Sequence, residues 1–284
     1  MQEVSAILFP TDFSEPARRA FRYCLRLAAQ YQAKIHLIHV IYPEYEVMDL
    51  PVVATQATRA KVNAAKEAME AFIAWGQAQV AEVNTKPTAI TYEIEVGSAV
   101  NTILQIAERS SFDLIVMGTR GEHGMLDHTF GSVTTGVLRR AECPVWVIPE
   151  NADSDEIHIA AYASNLVSAD PYFIWKVGKM LEPFNPILHC VHVNTESAIE
   201  PVLELAELAG IFEQHAPVLQ INFHTLQGQS IPESLEDFAD TYDVDLMVLY
   251  SPHYSWWEGL FHRSNTRKLA LDAKVPLLVI KEKN

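Results

Sequence analysis

The feature that most limits how this chain can fold is an internal repeat, because five ordered segments of its first half recur in its second. Asp113-Leu114-Ile115-Val116 returns as Asp245-Leu246-Met247-Val248, and Cys143-Pro144-Val145-Trp146-Val147-Ile148 returns as Val275-Pro276-Leu277-Leu278-Val279-Ile280. The run from Ile35 to Val40, with His36 and His39, matches the run from Ile187 to Val193, with His189 and His192. Gly97 before Ala99-Val100 matches Gly228 before Ile231-Pro232, and the run Ile157 to Ala161 is set against Ile7 to Thr11. On this alignment the offset falls from 150 (157 − 7) to 132 (245 − 113), so the second copy is shorter in its middle. A chain that repeats itself folds as two like units, and 284 residues fit two domains of roughly 100–200 residues each. The domains are placed at 1–150 and 156–284, with the acidic stretch from Glu150 to Glu156 between them.

Within the first copy, short apolar runs alternate with helical periodicity. Strands are expected at 4–10, 34–41, 89–96, 113–117 and 144–148, and helices at 15–32, 58–82, 99–110 and 132–140. In the first helix Ala20, Cys24, Leu27 and Ala28 share one face, Ser14 is placed to cap the N-terminus, and Pro16 is tolerated in the first turn. Strands that alternate with helices imply right-handed crossovers and a parallel sheet covered on both faces.

Charge narrows the partners. A net charge of −15 argues against nucleic acid, since sequence-independent binding needs lysine and arginine to displace counterions. No apolar run approaches the ~18 residues needed to span a bilayer. The first residues carry no basic, cleavable leader, so a cytoplasmic protein is expected. Cys24, Cys143 and Cys190 form no C-x-x-C pair and read as small buried hydrophobes.

The segment with chemistry in it runs from Met117 to Thr134, between an apolar strand and a helix. Ligands of open α/β sheets bind outside the carboxyl ends of the strands, where this loop lies. Gly118, Gly121 and Gly131 tolerate φ > 0 and let the backbone approach a ligand with no Cβ in the way. Successive N–H groups then converge on an anion, and Gly131-Ser132 opens a helix whose N-terminus favours negative charge. The hydroxyls of Ser132 and Thr134 are further donors, and Arg120 can neutralise phosphate charge. The bland alternative is a glycine-bearing loop with no ligand.

Gly118-x2-Gly121-x9-Gly131-Ser132 resembles the ATP-binding motif of the universal stress protein family. The resemblance extends to Pro10-Thr11-Asp12, His39-Val40 and Asp113 to Gly118. It covers nearly all of 1–150 and, more weakly, the second half. It implies two tandem five-stranded, Rossmann-like parallel-sheet domains of the adenine-nucleotide α-hydrolase kind. Their last strands would pair across the halves to make an intrachain pseudo-dimer and cover two apolar edges. It also implies that Asp12 bonds adenine or ribose, with Pro10 and Thr11 lining that end, and that Val40 and Met117 flank the base. Gly118, Gly121, Gly131, Ser132 and Val133 would hold ribose and phosphates. Read from the sequence alone, Asp12 also fits an N-cap, and Val40 and Met117 fit plain core.

The second copy reads Tyr250 for Gly118, His253 for Gly121, Arg263 for Gly131 and, on the alignment above, Tyr162 for Asp12. These side chains would fill the phosphate space, and Pro252 removes a donor. ATP is therefore expected in the first half alone. The aromatic stretch Tyr254 to His262, with Trp256 and Trp257, is expected to pack over the vacated site or to face a partner or small molecule. His36 and His39, three apart on a strand, point to opposite faces and cannot share one metal, and the same holds for His189 and His192. His123 and His128 fall in the loop, within reach of a phosphate or a magnesium-bound water. No Walker-A lysine and no water-positioning base is evident, so turnover is expected to be weak or absent, and neither a catalytic residue nor a protein-bound metal site is assigned. The expected cofactor is ATP, with Mg2+ as its counterion. The leading expectation is a nucleotide-dependent stress or signalling module acting through a protein partner or a homodimer. Its rivals are a slow ATP hydrolase and a binding protein for an apolar ligand or metal through the divergent half.

Overall fold

The computed structural model describes residues 4–43, 51–80, 89–119, 131–152, 156–195, 203–216, 220–251 and 275–281, with the side chains of 51–56, 80 and 251 left aside. Among them the chain divides into two compact units between Val145 and Trp146. The first half runs β1 (Ala6–Pro10), α1 (Glu15–Tyr31), β2 (Lys34–Ile41), α2 (Pro51–Val80), β3 (Ile90–Val96), α3 (Ala99–Arg109), β4 (Leu114–Gly118), α4 (Ser132–Arg140) and β5 (Val145–Ile148). The second runs β6 (Ile159–Ser164), α5 (Asp170–Leu181), β7 (Ile187–Asn194), α6 (Leu205–His215), β8 (Ile221–Gln227), α7 (Ile231–Thr241), β9 (Leu246–Ser251) and β10 (Leu277–Lys281).

Each half carries the same strand order. It is β3-β2-β1-β4 in the first and β8-β7-β6-β9 in the second, where β10 follows β9. The chain moves one way from the first strand of each half and then returns to that strand's other side. The crevice between the carboxyl ends of β1 and β4, or of β6 and β9, is therefore a topological switch point. Strand β4 is buried along Leu114, Ile115, Val116 and Met117, which accounts for an unbroken apolar run in place of alternation.

Hydrogen bonds repeat between the halves and fix their register. Ala6 pairs with Lys34 as Ile159 pairs with Ile187. A carboxylate closes the start of the first strand in both: Asp113 Oδ2 accepts from the N–H groups of Ser5 and Ala6 at 2.8 and 3.0 Å, and Asp245 Oδ2 from those of His158 and Ile159 at 2.8 and 2.9 Å. Non-glycine residues with positive φ recur at matched places: Phe13 (66°) with Leu166 (52°), Gln32 (54°) with Asn185 (49°), and Ser111 (50°) with Asp243 (51°). The offset at the first strand is thus 153 (159 − 6), not 150. Ala160, not Ile157, answers to Ile7, and Tyr162 answers to Phe9. Asp12 has Asn165 as its counterpart. The apolar run alone could not set this register, because the residue that answers to Ile7 is the small Ala160 while two isoleucines, Ile157 and Ile159, lie just before it. Replacing Asp113 or Asp245 with alanine should lower stability by about 1–2 kcal/mol in urea denaturation, since two backbone donors lose a charged acceptor in a part-exposed setting.

The halves differ in their second helix. Helix α2 starts at Pro51, seven residues before the expected Thr58, because a proline in the first turn needs no N–H partner. Its 30 residues bury Ala65, Met69 and Phe72, and Phe72 stacks on Phe21 of α1 at 4.9 Å. Gly76 permits that approach, since a Cβ there would collide with the Phe21 ring. The counterpart α6 has 11 residues, and Tyr172 and Trp175 on α5 remain exposed. Among the described residues no helix is long and apolar enough to cross a membrane.

Candidate functional site

At the end of β1 the chain turns sharply. The Thr11 N–H donates to Ile38 O at 2.9 Å, and its hydroxyl oxygen accepts from the Phe13 N–H at 3.0 Å. Phe13 takes a left-handed φ of 66°, a costly conformation for a bulky residue that is retained where the surroundings fix it. Its ring stacks on His39 at 4.4 Å, and His39 Nδ1–H donates to Thr11 O at 2.8 Å. Asp12 does not cap α1. Ser14 does, accepting from the Ala17 N–H at 3.3 Å, while Asp12 Oδ1 accepts from the Ser14 N–H and hydroxyl at 3.1 and 2.6 Å. The cap therefore holds Asp12 half-buried at the carboxyl end of β1.

Strand β4 delivers the other wall. Met117 is buried and Gly118 is half-buried at the strand's last position. The Thr134 hydroxyl donates to Gly118 O at 3.0 Å, and the Gly131 N–H donates to Thr119 O at 2.8 Å. These two bonds pin the N-terminus of α4 beside the end of β4. Gly131 is the N-cap, with φ −55° and ψ 154°, and offers no side chain to the first-turn N–H groups. Ser132 is exposed and Val133 half-buried in that turn. A Cβ at Gly136 would come within 2.7 Å of Val100, so this glycine sets how closely α4 lies on α3.

Two expectations change here. Among the described residues no glycine has positive φ, so Gly118 and Gly131 are not there for left-handed backbone, and only their missing Cβ remains as a reason. Thr134 is buried with its hydroxyl hydrogen spent on Gly118, so it ties α4 to the end of β4 and is not a free donor. Pro10, Thr11, Asp12, Val40, Met117, Gly118, Gly131, Ser132 and Val133 lie at strand carboxyl ends or at the start of α4, as the sequence placed them. Arg120, Gly121, His123, Asp127 and His128 lie outside the described residues, as do His253, Trp256, Trp257 and Arg263. A wide concavity of about 610 Å3, lined by Glu95, Thr102, Gln105, Ile106, Glu108 and Arg109, contains none of the predicted residues.

The equivalent place in the second half is built differently. Tyr250, at the position of Gly118, is buried and stacks on Phe173 at 3.8 Å. Asp170 is 1% exposed, and its carboxylate accepts from the Tyr162 hydroxyl and the Ser164 hydroxyl, both at 2.7 Å, and from the Val167 N–H at 3.0 Å. Burial pushes that carboxyl above the ordinary carboxylate range, against the pull of its Ser164 and Tyr162 hydrogen bonds. One element is common to both halves: His192 Nδ1–H donates to Ser164 O at 2.9 Å, as His39 does to Thr11 O. Sequence reasoning missed this clamp, although the signal was present as a Thr or Ser followed 28 residues later by His in each copy.

The strand histidines of the first half have separate partners. His36 Nδ1 is 2.8 Å from Thr91 Oγ1 and its Nε2 is 3.4 Å from Glu93 Oε1, whereas His39 turns to Thr11. Cys24 and Cys190 are buried, and burial pushes both thiols up, away from reactivity.

Known proteins resemble the chain at both levels. The sequence profile of the universal stress protein family matches residues 3–149 and 184–281. Universal stress protein Sll1654 of Synechocystis is 32% identical over 143 residues, which is 50% of this chain and 84% of that protein. Universal stress protein MJ0577 of Methanocaldococcus jannaschii is 29% identical over 153 residues, 50% of this chain and 93% of that one. In three dimensions, a universal stress protein from Archaeoglobus fulgidus aligns over 99% of this chain and 98% of its own, with a TM-score of 0.70 at 18% identity.

Proposed function

Because the chain belongs to the universal stress protein family, we propose that its first half binds one ATP at the β1–β4 switch point and that its second half binds none. The observation that carries this reading is the pinned arrangement of Asp12, Gly118 and the α4 N-terminus around one crevice. Asp12 accepts from the adenine amine or a ribose hydroxyl. Pro10, Thr11, Val40 and Met117 line the base end. Gly118, Arg120, Gly121, Gly131, Ser132 and Val133 hold ribose and phosphates, with Mg2+ as the phosphates' companion ion. Hydrogen bonds from backbone N–H groups to charged oxygens contribute about 1.5–3 kcal/mol each, and the α4 dipole adds about 0.3–1 kcal/mol per charge. The bound nucleotide then sets the state of a surface read by a protein partner or a second copy.

The test begins with purified protein, denatured and its released small molecules chromatographed. Recovery of an adenine nucleotide, or a rise in melting temperature with added ATP, is expected. Neither recovery nor a shift would sink the reading. Asp12→Ala should weaken ATP about tenfold by calorimetry, the loss of one hydrogen bond to a charged acceptor. Phosphate release that disappears in Gly118→Ala would instead make the first half a slow ATP hydrolase.

A further inference from the structure

The second half contains a histidine pair that the nucleotide site does not use. His189 on β7 is buried, His224 on β8 is half-buried, and His189 Nδ1 lies 2.8 Å from His224 Nε2. The rings stack at 4.9 Å, and helix α7 closes over both. Phe238 lies 5.6 and 5.1 Å from the two imidazoles and Tyr242 lies 5.0 and 5.2 Å from them, with Phe238 and Tyr242 stacked on each other at 4.3 Å. The pair is a substitution on an inherited position. His36 pairs in register with Thr91, and His189 with Asn222, so two residues further along Glu93 in the first half answers to His224 in the second. There His36 meets the Glu93 carboxylate at 3.4 Å, and Arg109 lies 3.4 Å from the same carboxylate. One half therefore pairs a base with an acid, and the other pairs two bases.

We propose that the His189–His224 pair is an acid-operated latch for α7, closed while at least one imidazole is neutral and opened when both are protonated. A hydrogen bond between two ring nitrogens needs one of them as acceptor, and a second proton removes it. Two imidazolium ions in contact then repel each other, and among the described residues no carboxylate acts on either imidazole. On the α7 side, the titratable group against the two rings is the phenol of Tyr242, the C-cap of the helix. Glu233, Asp237, Asp240 and, just beyond the helix, Asp243 are exposed, and Glu236 is half-buried. The register neighbours of His189 are Ala161 on β6 and Asn222 on β8, both uncharged. Burial pushes both imidazoles below the ordinary histidine value, and for His189 the neighbouring His224 adds to the effect. Depressed bases bind protons more readily unfolded than folded. The latch is thus fully closed above about pH 6.5 and weakens as pH falls below it.

Hydrogen exchange on the full chain, corrected for intrinsic rates, tests this. Amides of 231–241 should exchange at least tenfold faster at pH 5.5 than at pH 7.5, while those of 99–109 in the first half change less than twofold. His224→Glu, which restores the first half's base–acid pairing, should abolish the acid response of 231–241. NMR titration of the unsubstituted chain gives a readout independent of any variant, and the two imidazoles should titrate in separate steps. A pH-independent 231–241, an H224E chain with the parent's acid response, or two imidazoles titrating together would each overturn the latch.

Discussion

Gly118→Tyr should lower ATP affinity of the chain about 100-fold or more, a loss of about 2.7 kcal/mol. The physical reason is space. Gly118 ends β4 with its carbonyl held by Thr134, so a side chain added there cannot be relieved by moving the backbone without breaking that bond. The second half already carries tyrosine at this place, where Tyr250 lies buried and ring-stacked on Phe173. Calorimetry reads the affinity, and urea denaturation beside it separates lost binding from lost fold. Gly118→Ala, with one added carbon, should show an intermediate loss and keeps the test valid if the tyrosine variant does not fold. Affinity equal to the parent's in both variants would mean that the nucleotide does not use this crevice.

Asp170→Ala should destabilise the second half by about 3 kcal/mol or more. The carboxylate is buried and holds three donors: Tyr162, Ser164 and the Val167 N–H. Removing it leaves buried donors unpaired at about 1–3 kcal/mol each, and two of them are hydroxyls that can turn to other acceptors only in part. Asp170→Asn keeps one acceptor oxygen and should cost about 1 kcal/mol. The pH dependence distinguishes the two. Because the folded carboxyl is raised above its unfolded value, folding takes up a proton in the window above the ordinary aspartate range. The stability contributed at Asp170 therefore improves as pH falls through that window and is smaller at neutral pH. Asparagine cannot titrate, so that variant should lose Asp170's share of the pH dependence and keep the share of the His189–His224 pair. Unfolding curves of the parent and the Asn variant at pH 7 and pH 4.5, read by circular dichroism, would show it as the difference between the two chains.

Much of the fold was legible because its signals are periodic. Strand β2 and helix α4 fall on the residues expected, and β4 differs by one, since buried parallel strands read as short apolar runs and α4 opens on a helix-start signal. The Ser14 cap was legible from residue type and position alone. The register of the first strand in the second copy was not. Apolar residues at Ile157 and Ile159 satisfy either alignment, and the register is decided by the hydrogen bond that the Ile159 N–H donates to Asp245 Oδ2, which no local pattern encodes. The role of Thr134 was misread for a related reason: a hydroxyl in the first turn of a helix that follows a glycine-rich segment looks like a ligand donor until a backbone carbonyl is found at 3.0 Å from it. The His189–His224 contact was missed because it joins different strands, with His224 displaced from the register partner of His189 by two residues. Sequence showed two histidines on opposite faces of β7, and the third came from a strand whose residues looked unremarkable.

The two halves differ where Tyr250 fills the place that Gly118 leaves open. Counting nucleotide equivalents measures this difference most directly. Calorimetric titration of nucleotide-free chain with ATP, paired with mass spectrometry of the intact complex under native conditions, gives the stoichiometry without any variant. One ATP per chain is the predicted result. Two per chain would show that Tyr250 and its stacked partner do not close the second crevice, and none would show that the pinned crevice of the first half is not a nucleotide site.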